Sequence, residues 1–208
     1  MKITAIKAQV KTDNRVSVFV DGKYSFSLTL DQLLSEKLKK GLDLDDSEII
    51  RLKKLSDEGK LKQRTLEWVL GRLHSTKEFR DYLYHKKAGK DLIDAWVGEF
   101  TDKNYLDDEA FARWFAENRR RKNKSNRAIT SELYSKGISS VTIQRVVAEL
   151  EKEEGDSDNS ENAALQSLVN KLINRPRYQD EQKLKTHLIS KGFLYADIKQ
   201  VLENNNNI

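Results

Sequence analysis

Hydrophobic positions follow two different periods along this chain. Over residues 1–30 the period is two: Val16, Val18 and Val20 alternate with Ser17 and Phe19, which predicts a strand. Asp21-Gly22 supplies the positive φ angles of a tight hairpin turn, and Lys23 to Leu28 returns as a second strand. Ile3 and Ala5, then Ile6, Ala8 and Val10 after a bulge, add a third. A three-stranded antiparallel sheet of this size is marginal alone and needs a helix to lean on. The pattern offers one from Asp31 through Leu33, Leu34 and Leu38, stopping before Gly41. Asp45-x-x-Glu48 then reads as a capping box, opening a helix with Ile49, Leu52 and Leu55 on one face. Gly59 either ends that helix or merely weakens it.

Beyond residue 60 the period becomes helical and the pattern repeats. Phe79, Leu83, Lys87 and Ile93 stand at offsets 0, +4, +8 and +14, and Ile129, Leu133, Gly137 and Ile143 repeat them, as do Leu184, Leu188, Gly192 and Ile198. Ser75, Ser125 and Asp180, all helix-capping types, sit four residues ahead of each set. A repeat with periods of 50 and 55 residues implies small helical modules that stack on their neighbours. Each module reads as three helices. The first carries Leu66, Val69, Leu70 and Leu73, then Phe111, Trp114 and Phe115, then Leu165, Leu168, Val169 and Leu172. The second is the capped segment, with Ser75-x-x-Glu78 forming a full capping box. The third carries Ile93, Val97 and Phe100, then Ile143, Val147 and Leu150, then Ile198 and Leu202.

The organisation expected is therefore a sheet-and-helix region at 1–60 and three-helix repeats at 61–104, 105–152 and 163–208. An acidic linker at 153–162 precedes the last repeat. Lys136-Gly137 and Lys191-Gly192 mark left-handed helix stops, whereas Lys87, with Gly89 two residues later, predicts a different turn in the first repeat. The asparagine run from Asn204 to Asn207 reads as a frayed tail.

Composition sharpens this picture in three ways. Only 38% of residues are hydrophobic and 34% are charged, which suits an elongated repeat body better than a sphere. A net charge of +5 favours an anionic partner. Cysteine is absent, which excludes disulfides and cysteine–zinc sites and fits a reducing cytoplasm. The Met1-Lys2-Ile3-Thr4 start lacks the apolar run of a signal peptide, and no membrane span is expected.

Two segments carry candidate chemistry. In Tyr105-Leu106-Asp107-Asp108-Glu109-Ala110-Phe111-Ala112, Asp107 or Asp108 caps the incoming helix and the acids complement its dipole. A metal or catalytic use is the weaker reading, because adjacent carboxylates do not converge without further ligands. Arg119, Arg120, Arg121, Lys122, Lys124 and Arg127 place six cations in nine residues with no acid among them. Such a cluster at a helix junction can neutralise phosphates, against the plainer reading of a solvated charged face. His74, His85 and His187 share no metal-ligand spacing and read as surface or cap residues. No nucleophile, base and orienting group are nominated, so neither an enzyme nor a cofactor is expected.

The string Tyr105-Leu106-Asp107-Asp108-x-x-Phe111-Ala112, followed by a basic stretch and Leu133-x-x-Lys136-Gly137-Ile138, resembles the central signature of the RecX family of bacterial recombination regulators. The likeness extends over residues 61–203, and the strand-rich start is similar to that of longer members from low-GC Gram-positive bacteria. The resemblance implies a mainly α, elongated and curved body of tandem three-helix modules with a small N-terminal antiparallel sheet. It implies binding to the RecA recombinase filament on single-stranded DNA, with restraint of its ATPase and strand exchange and hence of DNA repair and the SOS response. On that reading Tyr105, Leu106, Asp107, Asp108, Phe111 and Ala112 are mainly architectural, and Arg119 to Arg127 is the region of filament or DNA contact. A monomer is expected. Two other readings stand beside it. A stand-alone DNA-binding protein, on duplex as well as single strands, would use Ala128–Gly137 and Ser139–Leu150 as a helix-turn-helix. An RNA-linked scaffold would use the aromatics of the sheet, Phe19, Tyr24 and Phe26.

Overall fold

The computed structural model describes residues 1–9, 14–153 and 160–206. It divides into two compact units, Met1–Gly71 and Arg72–Ile208.

In the first unit, β1 (Ile3–Ala8), β2 (Arg15–Val20) and β3 (Lys23–Thr29) form an antiparallel sheet in the order β1-β2-β3. A bulge is present, but between Ile3 and Ala5 rather than after Ala5 as expected, and Asp21 and Gly22 both take positive φ in the hairpin turn. Val10 lies outside the described residues. Alternation sends Ile3, Val18, Val20, Phe26 and Leu28 inward, where Leu44, Ile49 and Leu52 complete the core.

The helix that supports the sheet is not the one expected. The Asp31–Leu38 segment yields only α1 (Leu30–Ser35), capped by Thr29, with Lys37 already in the left-handed region. The support is α2 (Asp46–Leu70), whose Ser56 hydroxyl accepts the Ser27 N–H of edge strand β3 at 3.1 Å. The Asp45–Glu48 capping box forms as expected. Gly59 does not end α2: it sits mid-helix, close to the Gln32 side chain and to Arg15. Burial in an element of 25 residues outweighs the roughly 1 kcal/mol that a helical glycine loses to alanine. Position 60 thus lies inside α2; of the positions expected for the first helix of repeat one, Leu66 and Val69 fall in its last turns, Leu70 ends it exposed, and Leu73 lies beyond it, also exposed.

The second unit contains α3 (Thr76–His85), α4 (Lys90–Asp102), α5 (Asp108–Arg121), α6 (Asn126–Ser135), α7 (Ser140–Glu153), α8 (Ser160–Ile173), α9 (Glu181–Ser190) and α10 (Tyr195–Asn206). A short 3₁₀ turn spans Pro176–Tyr178. The repeat is realised in atoms. Phe79, Leu83 and Ile93, then Ile129, Leu133 and Ile143, then Leu184, Leu188 and Ile198, are all buried. In the second module they join Phe111, Phe115, Val146 and Leu150, and in the third Leu165, Val169, Phe193 and Leu202. Much of the expected linker, residues 154–159, lies outside the described residues. Asn204 to Asn206 continue α10 rather than fraying, and Asn207 is outside the described residues.

The turn after the second helix is the same in all three modules, against the difference expected from Lys87. Lys87, Gly137 and Gly192 have φ of 61°, 81° and 99°. The following N–H reaches back to the Leu83, Leu133 or Leu188 carbonyl in each. What differs is the space. A Cβ on Gly137 would lie 2.7 Å from Lys77 Cβ, and one on Gly192 would lie 2.5 Å from both Ser125 Oγ and Ala128 Cβ. Lys87 is exposed. Glycine is required at 137 and 192 because a preceding module touches the turn there; without that neighbour, lysine accepts the strained conformation.

Candidate functional site

The acids of the signature string act on backbone donors at helix starts. Asp107 caps its own helix, accepting from Glu109 N at 2.9 Å and Ala110 N at 3.0 Å. Asp108 instead accepts Thr76 N at 2.7 Å, at the start of α3. Leu106, Phe111 and Ala112 are buried, and Tyr105 lays its edge against Phe100 at 5.7 Å. All six signature residues are therefore used in packing or capping.

Asp108 takes part in a joint that occurs twice. At the first joint, Ser75 Oγ donates to the Lys136 carbonyl at 2.8 Å while Asp108 holds the N–H of Thr76. At the second, Ser125 N donates to the Lys191 carbonyl at 3.0 Å while Glu161 accepts from Asn126 N at 3.1 Å. In both cases a carboxylate from the next module's first helix satisfies an orphan donor at the start of the previous module's second helix. The lysine-containing turn of the next module then seats on the capping serine. Sequence reading found the serines and glycines, but not that they meet each other.

The first joint also explains why the Ser75 capping box is incomplete. Ser75 caps Glu78 N, but the Glu78 carboxylate does not return to the cap. It binds Lys136 Nζ at 2.7 Å and Arg72 Nη1 at 2.9 Å, with His74 Nδ1 at 3.3 Å. Burial pushes the Glu78 pKa up, but the bonds and charges of Lys136 and Arg72 outweigh it and leave the pKa below its ordinary value. His74, expected as a surface or cap residue, is buried in this cluster beside the capping serine. Glu161 goes the other way. Burial raises its pKa, and the Asn126 and Arg127 backbone donors only partly offset this.

The basic cluster of residues 119–127 lies at the α5–α6 junction, and its members separate into two groups. Arg119 pairs with Glu132 and stacks on Phe115 at 4.6 Å. Arg120 donates to the Leu150 carbonyl at 2.6 Å and to Asn126. Lys124 reaches the Ser190 carbonyl at 3.1 Å and Glu132 at 3.7 Å. These three hold elements together. Arg121, Lys122 and Arg127 are exposed, Arg121 with a loose 3.6 Å contact to Glu117. No group of three metal-ligating side chains occurs among the described residues, and no described helix is long and apolar enough to cross a membrane.

Residues 1–45 match the Regulatory protein RecX N-terminal domain, and residues 107–147 match the family's second three-helix domain. A regulatory protein RecX of Bacillus pumilus is 32% identical over 206 residues, covering 97% of this chain and 76% of that protein. This chain belongs to the RecX family. A RecX regulatory protein of Listeria welshimeri is likewise 32% identical over 196 residues, covering 93% of this chain and 71% of its own length. Two solved RecX structures share the fold. One has a TM-score of 0.67 at 22% identity over 97% of this chain and 98% of its own. The other, from Lactobacillus salivarius, has 0.55 at 21% identity over 73% of this chain and 98% of its own. The match to the second three-helix domain falls on the module that carries both the signature acids and the basic cluster. The mainly helical fold, with three-helix modules and a small N-terminal sheet, is that of RecX.

Proposed function

We propose that this chain binds the RecA filament on single-stranded DNA and restrains its ATPase and strand exchange, without chemistry of its own. Through that restraint it dampens recombination, repair and the SOS response, acting as a monomer in the cytoplasm. Membership of the RecX family over 97% of the chain is the observation that carries this reading. The modules support it physically. Each joint repeats the same arrangement of elements, so successive modules present related surfaces, and modest contacts to successive filament protomers would add. Within residues 119–127, the exposed Arg121, Lys122 and Arg127 are the side chains we assign to phosphate or filament contact.

The stand-alone helix-turn-helix reading gains less from the geometry. On α7, Arg145 is tied to Glu109 at 2.5 Å and Glu149 pairs with Arg113, so part of the helix's charge is already paired with α5. Both readings meet in one experiment: ATP hydrolysis by RecA on single-stranded DNA is titrated with this protein beside a DNA-only binding curve. Inhibition well below the concentration needed for bare DNA is expected. Tight DNA binding with an unaffected ATPase would hand the function to the alternative.

A further inference from the structure

The second and third modules both carry cations between their first and second helices, but only in the second are two of them paired with Glu132 and overlaid by the end of α9. Shifted by the 55-residue period, Arg175 falls on Arg120, Arg177 on Lys122, Lys183 on Ala128 and His187 on Glu132. Glu132 is the acid that holds Arg119 and Lys124 in the second module. The third module has an imidazole in its place, and no acid occurs from Asn162 to Gln179. Cover differs too. The end of α9 lies over the second module's junction, where Lys124 meets the Ser190 carbonyl and Lys191 meets the Lys122 carbonyl at 2.9 Å. The third module's junction opens instead into a groove of about 880 Å³, lined by Arg177, Tyr178, Lys183 and His187 among others.

The lining is cationic and aromatic. The Tyr178 and His187 rings lie 5.0 Å apart, and the Arg177 guanidinium lies 5.8 Å from the Tyr178 ring centre. Asp180 is the acid of the groove, and its carboxylate is engaged. It caps Gln182 N at 2.9 Å and Lys183 N at 3.3 Å and stands 3.5 Å from Lys183 Nζ. Burial, and then the charges of Lys191 and Arg177, lower the His187 pKa. Arg175 and Arg177 are exposed and make no ion pair among the described residues.

We propose that this groove binds single-stranded nucleic acid, with Arg175, Arg177 and Lys183 on phosphates and the Tyr178 ring as a platform for a base. The proposal rests on the filament reading and deepens it by naming where a bare strand is held. Cations beside a half-buried ring at the groove wall suit an unpaired strand, because a base must leave its stack to reach the ring. In the second module's junction Arg120 and Lys124 are bonded to protein carbonyls, which leaves the outward-facing Arg121, Lys122 and Arg127 for phosphate or filament contact.

The test uses the whole chain with Arg177→Glu and Lys183→Glu combined, and a labelled oligothymidylate followed by anisotropy across salt. Lys86→Glu with Lys90→Glu makes the same change of net charge elsewhere. The groove variant should bind roughly tenfold more weakly, with a salt slope shallower by roughly 1.4, since each single-strand phosphate contact contributes about 0.7. The control should lose much less, and thermal melting should match wild type in both. Unchanged oligothymidylate binding by the groove variant overturns the proposal, as does an equal loss in the control. A wild-type protein that restrains the filament ATPase without binding oligothymidylate also overturns it, while the filament reading survives. Groove-dependent oligothymidylate binding with no effect on the ATPase does the reverse.

Discussion

The two joints of the second unit use the same backbone device and surround it with different side chains. At the first, Glu78 gathers Lys136, Arg72 and His74 around the capping serine, so the contact is held by charge. At the second, the position of Glu78 is taken by Ala128, and Gly192 comes down directly on Ser125 and Ala128. That contact is held by fit, with Lys124 and Lys191 bonding to carbonyls at its edge. One repeat can thus keep its geometry while changing what enforces it. The geometry comes from helix ends, whose orphan donors and acceptors must be satisfied whatever the side chains are.

The largest expected effect lies at the joint held by fit. Gly192→Ala forces a Cβ against Ser125 Oγ at a φ of 99° and should cost roughly 2–4 kcal/mol. Gly137→Ala brings a Cβ to 2.7 Å from the single fixed Lys77 Cβ at a φ of 81° and should cost less, roughly 1–3 kcal/mol. Denaturant melts of the two variants measure the difference, and equal losses would erase the distinction between the joints.

Next comes the joint held by charge. Glu78→Ala leaves Lys136 and Arg72 without their acid and should destabilise by about 2–3 kcal/mol. Hydrogen exchange at the start of α3 should accelerate while that at the start of α6 stays near wild type. Acceleration at both would mean the joints unfold together.

Acid should move the two joints in opposite directions. The folded pKa of Glu161 lies above its ordinary 4.5, so its joint gains stability as pH falls through the raised pKa toward 4.5. The folded pKa of Glu78 lies below 4.5, so its contribution is complete above that value and is lost as pH falls through the depressed pKa. Exchange rates at Asn126 and Thr76 between neutral pH and pH 3, corrected for intrinsic rates, report the two separately. Glu161→Gln should flatten only the Asn126 profile.

The smallest effect is a gain. Lys87 holds a left-handed conformation with no module pressing on it, so Lys87→Gly should stabilise by about 1 kcal/mol. A fall in the thermal midpoint would show that the lysine side chain has a contact worth more than the strain.

Much of the architecture was legible because it is local. The hairpin at Asp21-Gly22, the alternation of β2 and the caps at Ser75, Ser125 and Asp180 rest on interactions within a few residues. The basic cluster was legible only as a count of charges. That Arg119, Arg120 and Lys124 hold helices together while Arg121, Lys122 and Arg127 face outward depends on what Glu132, Leu150 and Ser190 bring near. Arg175 and Arg177 passed unnoticed because they are dispersed around Pro176. Superposing the repeat on itself would have revealed them, since they fall on Arg120 and Lys122.

The sequence by itself determined the repeated helix caps, turns and apolar spacing and their periods, because these are written within each helix. It also carried the family, in a string whose acids serve helix starts. Tertiary structure alone decided that α2 runs unbroken past Gly59, that Asp108 serves α3 rather than its own helix, and that glycine is needed at 137 and 192 but not at 87. Each depends on which atoms from distant parts of the chain arrive at one place, and spacing along a single helix cannot express that.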